Sequence, residues 1–83
     1  MPGTYVWRPD FGGCAVLGVG HVLTYHYDQE CDGGPDYIGR DVRLEDSQLV
    51  IDDATLALEQ ADATRILGTY TYGSTFAAEF VRI

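Results

Sequence analysis

The sequence predicts an α+β fold: a small antiparallel sheet of about five strands with one helix near residues 53–67. Three observations carry this expectation. TYVW (4–7), TYHY (24–27) and TYTY (69–72) each place aromatics at i and i+2, and in a strand such pairs share one face. The last stretch alternates Phe76, Ala78 and Phe80 with Thr75, Ala77, Glu79 and Val81, as a half-buried strand does. Residues 53–67, DATLALEQADATRIL, are rich in Ala, Leu, Glu and Gln, which favour helix.

In chain order, residues 3–8 read as the first strand and Asp10-Phe11-Gly12-Gly13 as a turn. Residues 14–17 and 21–27 form a hairpin around Gly18-Val19-Gly20, with Leu17 opposite His21 and Cys14 opposite Thr24. Ala15, Leu17, His21, Leu23, Tyr25 and Tyr27 then share the core face. Asp32-Gly33-Gly34-Pro35-Asp36 breaks the chain. Tyr37 to Leu44 reads as a strand with a possible bulge at Gly39, and Leu49-Val50-Ile51 as a short buried run. Asp52 or Asp53 caps the helix, Arg65 sits in its last turn, and Gly68 stops it. The alternative is all-β, with 53–67 as two strands and a turn near Ala61-Asp62-Ala63. Gly68–Tyr72 and Thr75–Ile83 close the chain as a hairpin through Gly73-Ser74.

Eighty-three residues make a single small acidic domain, 1–83. Its net charge is -8, with no lysine. Residues 28–62 hold eleven acids against Arg40 and Arg43, and the remainder is near neutral. Such a surface suits a basic protein and disfavours direct contact with nucleic acid or an anionic membrane. The first ten residues carry no signal-peptide pattern. A cytoplasmic setting with reduced thiols is therefore expected. The oligomeric state is not legible.

The candidate chemistry is sparse. Cys14, His21, His26 and Cys31 are zinc-type ligands, but their spacing is not that of a zinc finger. Cys14 with His26 resembles a thiol–imidazole pair, yet diagonal strand neighbours sit roughly 7–8 Å apart. A Cys14–Cys31 bridge needs an oxidising compartment. Residues 28–36 place acids at calcium-loop positions one, three, five and nine and glycine at six. Position twelve is Gly39 where a glutamate is needed. No cofactor is expected, and no enzyme activity.

The leading expectation is a non-enzymatic binding protein that blocks a basic, nucleic-acid-handling partner. Its contact residues would be Asp28, Glu30, Asp32, Asp36, Asp41, Glu45, Asp46, Asp52 and Asp53, with Tyr25 and Tyr27 as anchors and Tyr70 and Tyr72 beside them. In size and charge alone it resembles phage and mobile-element inhibitors such as anti-CRISPR proteins, some of which imitate nucleic acid. The alternatives are a metal-binding module and a small structural subunit that self-associates through a sheet edge at Phe76–Ile83.

Overall fold

The computed structural model describes residues 2–83, and among them there is no helix. Nine antiparallel strands form one sheet: β1 (Gly3–Trp7), β2 (Cys14–Val19), β3 (Leu23–Asp28), β4 (Tyr37–Ile38), β5 (Val42–Glu45), β6 (Gln48–Ile51), β7 (Ala54–Ala61), β8 (Arg65–Tyr72) and β9 (Ser74–Arg82). Their order across the sheet is β4-β3-β2-β1-β9-β8-β7-β6-β5. The chain is thus a meander whose first and last strands pair, and the sheet curls into a half-barrel. The α+β class with about five strands is overturned in favour of an all-β fold.

Every neighbouring pair is antiparallel. Following the pairings round shows that β4 and β5 run in the same direction. They are two halves of one strand, broken at Gly39-Arg40-Asp41. The first half pairs with β3 and the second with β6. At the break, the Gly39 N–H donates to the Tyr25 carbonyl at 2.8 Å, and the Asp52 N–H to the Asp41 carbonyl at 2.9 Å. This shared strand draws the two sheet edges together and makes the sheet curl.

The expected helix is β7, a turn and the start of β8. Ala54, Leu56 and Leu58 point inward from β7, while Thr55, Ala57 and Glu59 point out. Helix propensity is a weak prior that summed tertiary pairing overrides, and here β6 and β8 supply a ladder on both sides. Asp52 does not cap a helix. It is the first residue of a two-residue hairpin turn, with φ 53°, a conformation that Asp tolerates. Asp62 organises the other turn. Its Oδ1 accepts the Thr64 hydroxyl at 2.7 Å and the Thr64 and Arg65 N–H groups at 2.8 and 3.0 Å. The Thr64 hydroxyl first, then the Thr64 N–H, the Gln60 amide and the Arg65 N–H, hold its carboxyl well below the usual range.

The concave face holds the core. Tyr5, Trp7, Ala15, Leu17, Tyr25, Leu49, Ile51, Leu56, Ile66 and Phe80 are buried there. All three aromatic motifs point their tyrosines or tryptophan inward. Gly68 faces the same interior opposite Leu58, beside the bulge at Glu59 in β7. A Cβ there would run into the Ala57 carbonyl oxygen and lie 3.1 Å from Leu56 Cδ1, so the close approach of β7 requires glycine.

The β2–β3 hairpin differs from the expected one. Leu17 faces Tyr25 and Cys14 faces Asp28, around a turn at Gly20-His21-Val22. The register is displaced by an even number of residues, so the inward face is unchanged for β2 and for Leu23, Tyr25 and Tyr27. His21 leaves that face for the exposed turn.

Candidate functional site

One end of the half-barrel collects the turns that follow β1, β3, β6 and β8. Inside it lies a cleft of about 320 Å³, lined by Phe11, Tyr25, Tyr27, Tyr37, Ile51, Asp53, Ala54, Tyr70 and Tyr72. The mouth of a small barrel is a common place for a ligand site. Strand alternation sends Tyr25 and Tyr27 of β3 and Tyr70 and Tyr72 of β8 to the same interior, and Tyr37 of β4 joins them opposite Tyr27. Phe11 reaches in from the β1–β2 connection, with its ring centroid 5.0 Å from Phe76, 5.7 Å from Trp7 and 6.2 Å from Tyr27. Wider and more open grooves exist, including one of 890 Å³ lined by Val6, Leu67, Val81 and Ile83. None has this density of aromatic rings.

The tyrosine hydroxyls are largely engaged by the protein itself. Tyr27 donates to the Gly12 carbonyl at 2.5 Å and approaches Gln29 Oε1 at 3.2 Å. Tyr37 donates to Asp52. The Tyr25 and Tyr70 hydroxyls act on one another electrostatically. Burial, reinforced by Tyr70, pushes the Tyr25 phenol well above its usual range. The Asp52 hydrogen bond, helped by desolvation and the charges of Asp52 and Asp53, pushes Tyr37 up to about 12. Desolvation also raises Tyr70, against the opposing influence of the Tyr25 hydroxyl.

These raised phenols set a stability window. Unfolded tyrosines ionise near 10, while the folded ones keep their protons. Between those values the folded state binds more protons, so stability falls as pH rises. The structure predicts that stability begins to drop near pH 10 and continues to fall towards pH 12. Ultraviolet titration should show Tyr25, Tyr37 and Tyr70 ionising above the ordinary phenol range. Ionisation of these three phenols near pH 10 with the fold intact would contradict this.

The acids expected to meet a partner have varied fates. Asp28 is 3 % exposed. Its carboxylate accepts the Gly33 N–H at 2.7 Å and the Glu30 N–H at 3.1 Å. Desolvation alone would raise its pKa, but the backbone donors of Gly33, Glu30, Cys31 and Asp32 outweigh it and hold the carboxyl low. Asp32 accepts the Gly34 N–H and Asp36 the Gln29 N–H. Asp52 is a latch. It accepts the Tyr37 hydroxyl and the N–H groups of Arg40 and Asp41, and these partners, Tyr37 first, depress its pKa. Asp41 and Glu45 both pair with exposed Arg43. Asp46 sits in the β5–β6 turn at φ 58°. Glu30 and Asp53 are exposed, and no hydrogen bond or ion pair among the described residues uses their carboxylates.

The acidic residues therefore do not form one nucleic-acid-like face. Asp10, Asp28, Glu30, Asp32, Asp36, Asp52 and Asp53 stand at the mouth end, whereas Glu45, Asp46 and Asp62 lie in or beside the opposite turns. β7 alone, at about 3.4 Å per residue, separates Asp53 from Asp62 by roughly 25 Å or more. The helix expected near 53–67 does not exist, so it gathers none of Asp52, Asp53, Glu59 and Asp62 on a common face. The inhibitor, anti-CRISPR-like and nucleic-acid-mimic description loses its structural premise.

Cys14 and Cys31 form a disulfide, with Cα atoms 5.4 Å apart. The expected reduced thiols are corrected, and neither cysteine is free to act as a ligand or nucleophile. The β2–β3 register explains the pairing: Cys14 lies opposite Asp28, and the turn after Asp28 brings Cys31 back. His21 is in the far turn, while His26 is half-buried on the other face of β3. No group of three or more metal-type side chains converges among the described residues. The carboxylates at 28, 32 and 36 brace their own loop and do not encircle a calcium site. Strand β9 lies between β1 and β8, but only its Val81 and Arg82 pair with β1, so residues 76–80 are paired on the β8 side alone; the terminal strands of the sheet are β4 and β5. No helix among the described residues is long and apolar enough to cross a membrane.

Sequence reasoning found Tyr25, Tyr27, Tyr70 and Tyr72, but it missed Phe11, Tyr37 and Ala54. Tyr37 carried a weak signal, as an aromatic directly after the loop in a run read as strand. Phe11 carried none, because it stands in a turn. Searches against protein-family models, curated proteins and solved structures found no match to this chain.

Proposed function

We propose that this protein is a non-catalytic binding module that presents its acidic, tyrosine-lined mouth to a basic protein partner, such as one that handles nucleic acid. The observation that carries the reading is the position of the cleft. A pocket walled by five tyrosines opens at the end of the half-barrel where seven acids gather, and three of those acids, Asp10, Glu30 and Asp53, are unspent among the described residues. Tyrosine supplies rigid contact area at low entropic cost and is enriched at binding hot spots. The surrounding charge would speed encounter with a cationic surface. A cytoplasmic setting sits poorly with the Cys14–Cys31 bridge, which persists in oxidising compartments; this reading takes an oxidising one.

The test uses acids that do not brace the fold. Glu30→Gln with Asp53→Asn should weaken binding to a lysine- and arginine-rich peptide at least about tenfold, the worth of one well-placed charge pair. Asp46→Asn at the far end is the control and should change affinity little. Raising salt should narrow the gap, because screening acts over about 8 Å at physiological ionic strength. Equal binding by the double variant and the wild type at low salt would remove the mouth as the site.

A further inference from the structure

The chemistry of the cleft narrows the group it holds. Its walls are dominated by the aromatic rings of Phe11, Tyr25, Tyr27, Tyr37, Tyr70 and Tyr72, and aromatic rings attract cations over their faces through the quadrupole. Asp53 adds a carboxylate with no partner among the described residues. The hydroxyls of Tyr27 and Tyr37 are already bonded to protein atoms, so these residues offer a guest mainly their rings. A primary ammonium brings three donors and a guanidinium five, and each donor left unmatched in the cleft carries a desolvation cost. A quaternary ammonium brings none, and aromatic cages are the recurring solution for that group.

Resting on the reading above, we propose that the cleft takes a quaternary ammonium group, carried on a trimethylated lysine of the basic partner. The choice of carrier follows from charge. A phosphocholine headgroup places a phosphate beside its cation, and the acids at this mouth would repel it. A lysine side chain in a basic segment has no such anion and brings further positive charge to Glu30 and the loop acids. The volume of about 320 Å³ is at the small end of ligand pockets, as suits one side-chain head.

The experiment titrates the intact, disulfide-bonded protein and follows Trp7 fluorescence. Trp7 lies 5.5 Å from Tyr70 and 5.7 Å from Phe11, ring to ring, so occupancy should register there. The probes are choline, its neutral isostere with carbon in place of nitrogen (dimethylbutanol), and guanidinium. Choline should bind at least about tenfold tighter than either. Asp53→Asn should weaken choline several-fold and leave the isostere unchanged. Tyr72→Leu, at an exposed strand end, should weaken choline with no change in melting temperature. A basic peptide should gain about tenfold on trimethylation of its lysine, and phosphatidylcholine vesicles should not bind. Equal affinity for choline and the isostere, or for choline and guanidinium, overturns the proposal. Binding to vesicles without preference for the methylated peptide overturns the lysine carrier. A peptide that binds in a salt-dependent way but gains nothing on methylation sinks this inference and leaves the general reading intact. Choline binding with no peptide binding, methylated or not, overturns both the basic-partner reading and the lysine carrier, and leaves only the quaternary-ammonium preference of the cleft.

Discussion

Phe80→Ala should cost about 3–5 kcal/mol, the range for removing a fully buried phenylalanine. Phe80 is 0 % exposed. It stands on β9, faces Ile66 across the ladder and packs against Trp7 with ring centroids 5.6 Å apart. The chain cannot refill such a space easily. β9 is the strand that joins the last hairpin to β1, so its inward residues tie the two halves of the sheet. At roughly 0.1 kcal/mol per residue, the domain has on the order of 8 kcal/mol in total, and the variant would lose about half. For a domain of this size, the melting temperature should fall by roughly 15–30 °C. Phe11→Ala is the comparison. Phe11 is 49 % exposed and sits in a connection, so its loss should cost far less. Similar losses from the two variants would mean that the half-barrel interior is not the folding core.

Breaking the disulfide should have the next largest effect. Cys14 and Cys31 are 17 residues apart, and closing a loop of that length restricts the unfolded chain by about 3 kcal/mol. The double variant Cys14→Ser with Cys31→Ser leaves no odd thiol. Its denaturation midpoint should fall accordingly, and reductant should reproduce the effect in wild type. Unfolded wild-type protein should show no reactive thiol before reduction and two after it. Two free thiols in protein taken from its native source would mean that the bridge does not form there. The loop from Gln29 to Asp36 would lose its tie to β2, but its hydrogen bonds from Asp28, Asp32 and Asp36 would remain. The mouth should therefore loosen without collapsing, and choline affinity gives a separate readout of that change.

Much of the sheet was legible because its signals are local. Alternation marked β9, and the paired aromatics marked the inward faces of β1, β3 and β8. Parity kept the face of the β2–β3 hairpin correct even though the turn was misplaced, since only an odd slip exchanges the two faces. Residues 37–44 were readable as one interrupted strand at Gly39. The sequence could not show that its halves pair with different neighbours, which is what curls the sheet. That depends on where β3 and β6 lie, and no residue near Gly39 encodes it.

Residues 53–67 failed for a related reason. Ala, Leu, Glu and Gln favour helix only when nothing else competes, and the two waiting strand edges compete successfully. The same limit governed the acids. Composition determined that this protein is strongly negative and that its charge lies within residues 28–62. Only the tertiary structure decided that Asp28 and Asp52 brace backbone turns, that Glu45 and Asp46 lie away from the mouth, and that Asp53 stands over the tyrosines. A charge is a property of a residue, whereas its availability depends on which backbone donors and side chains the fold brings within reach.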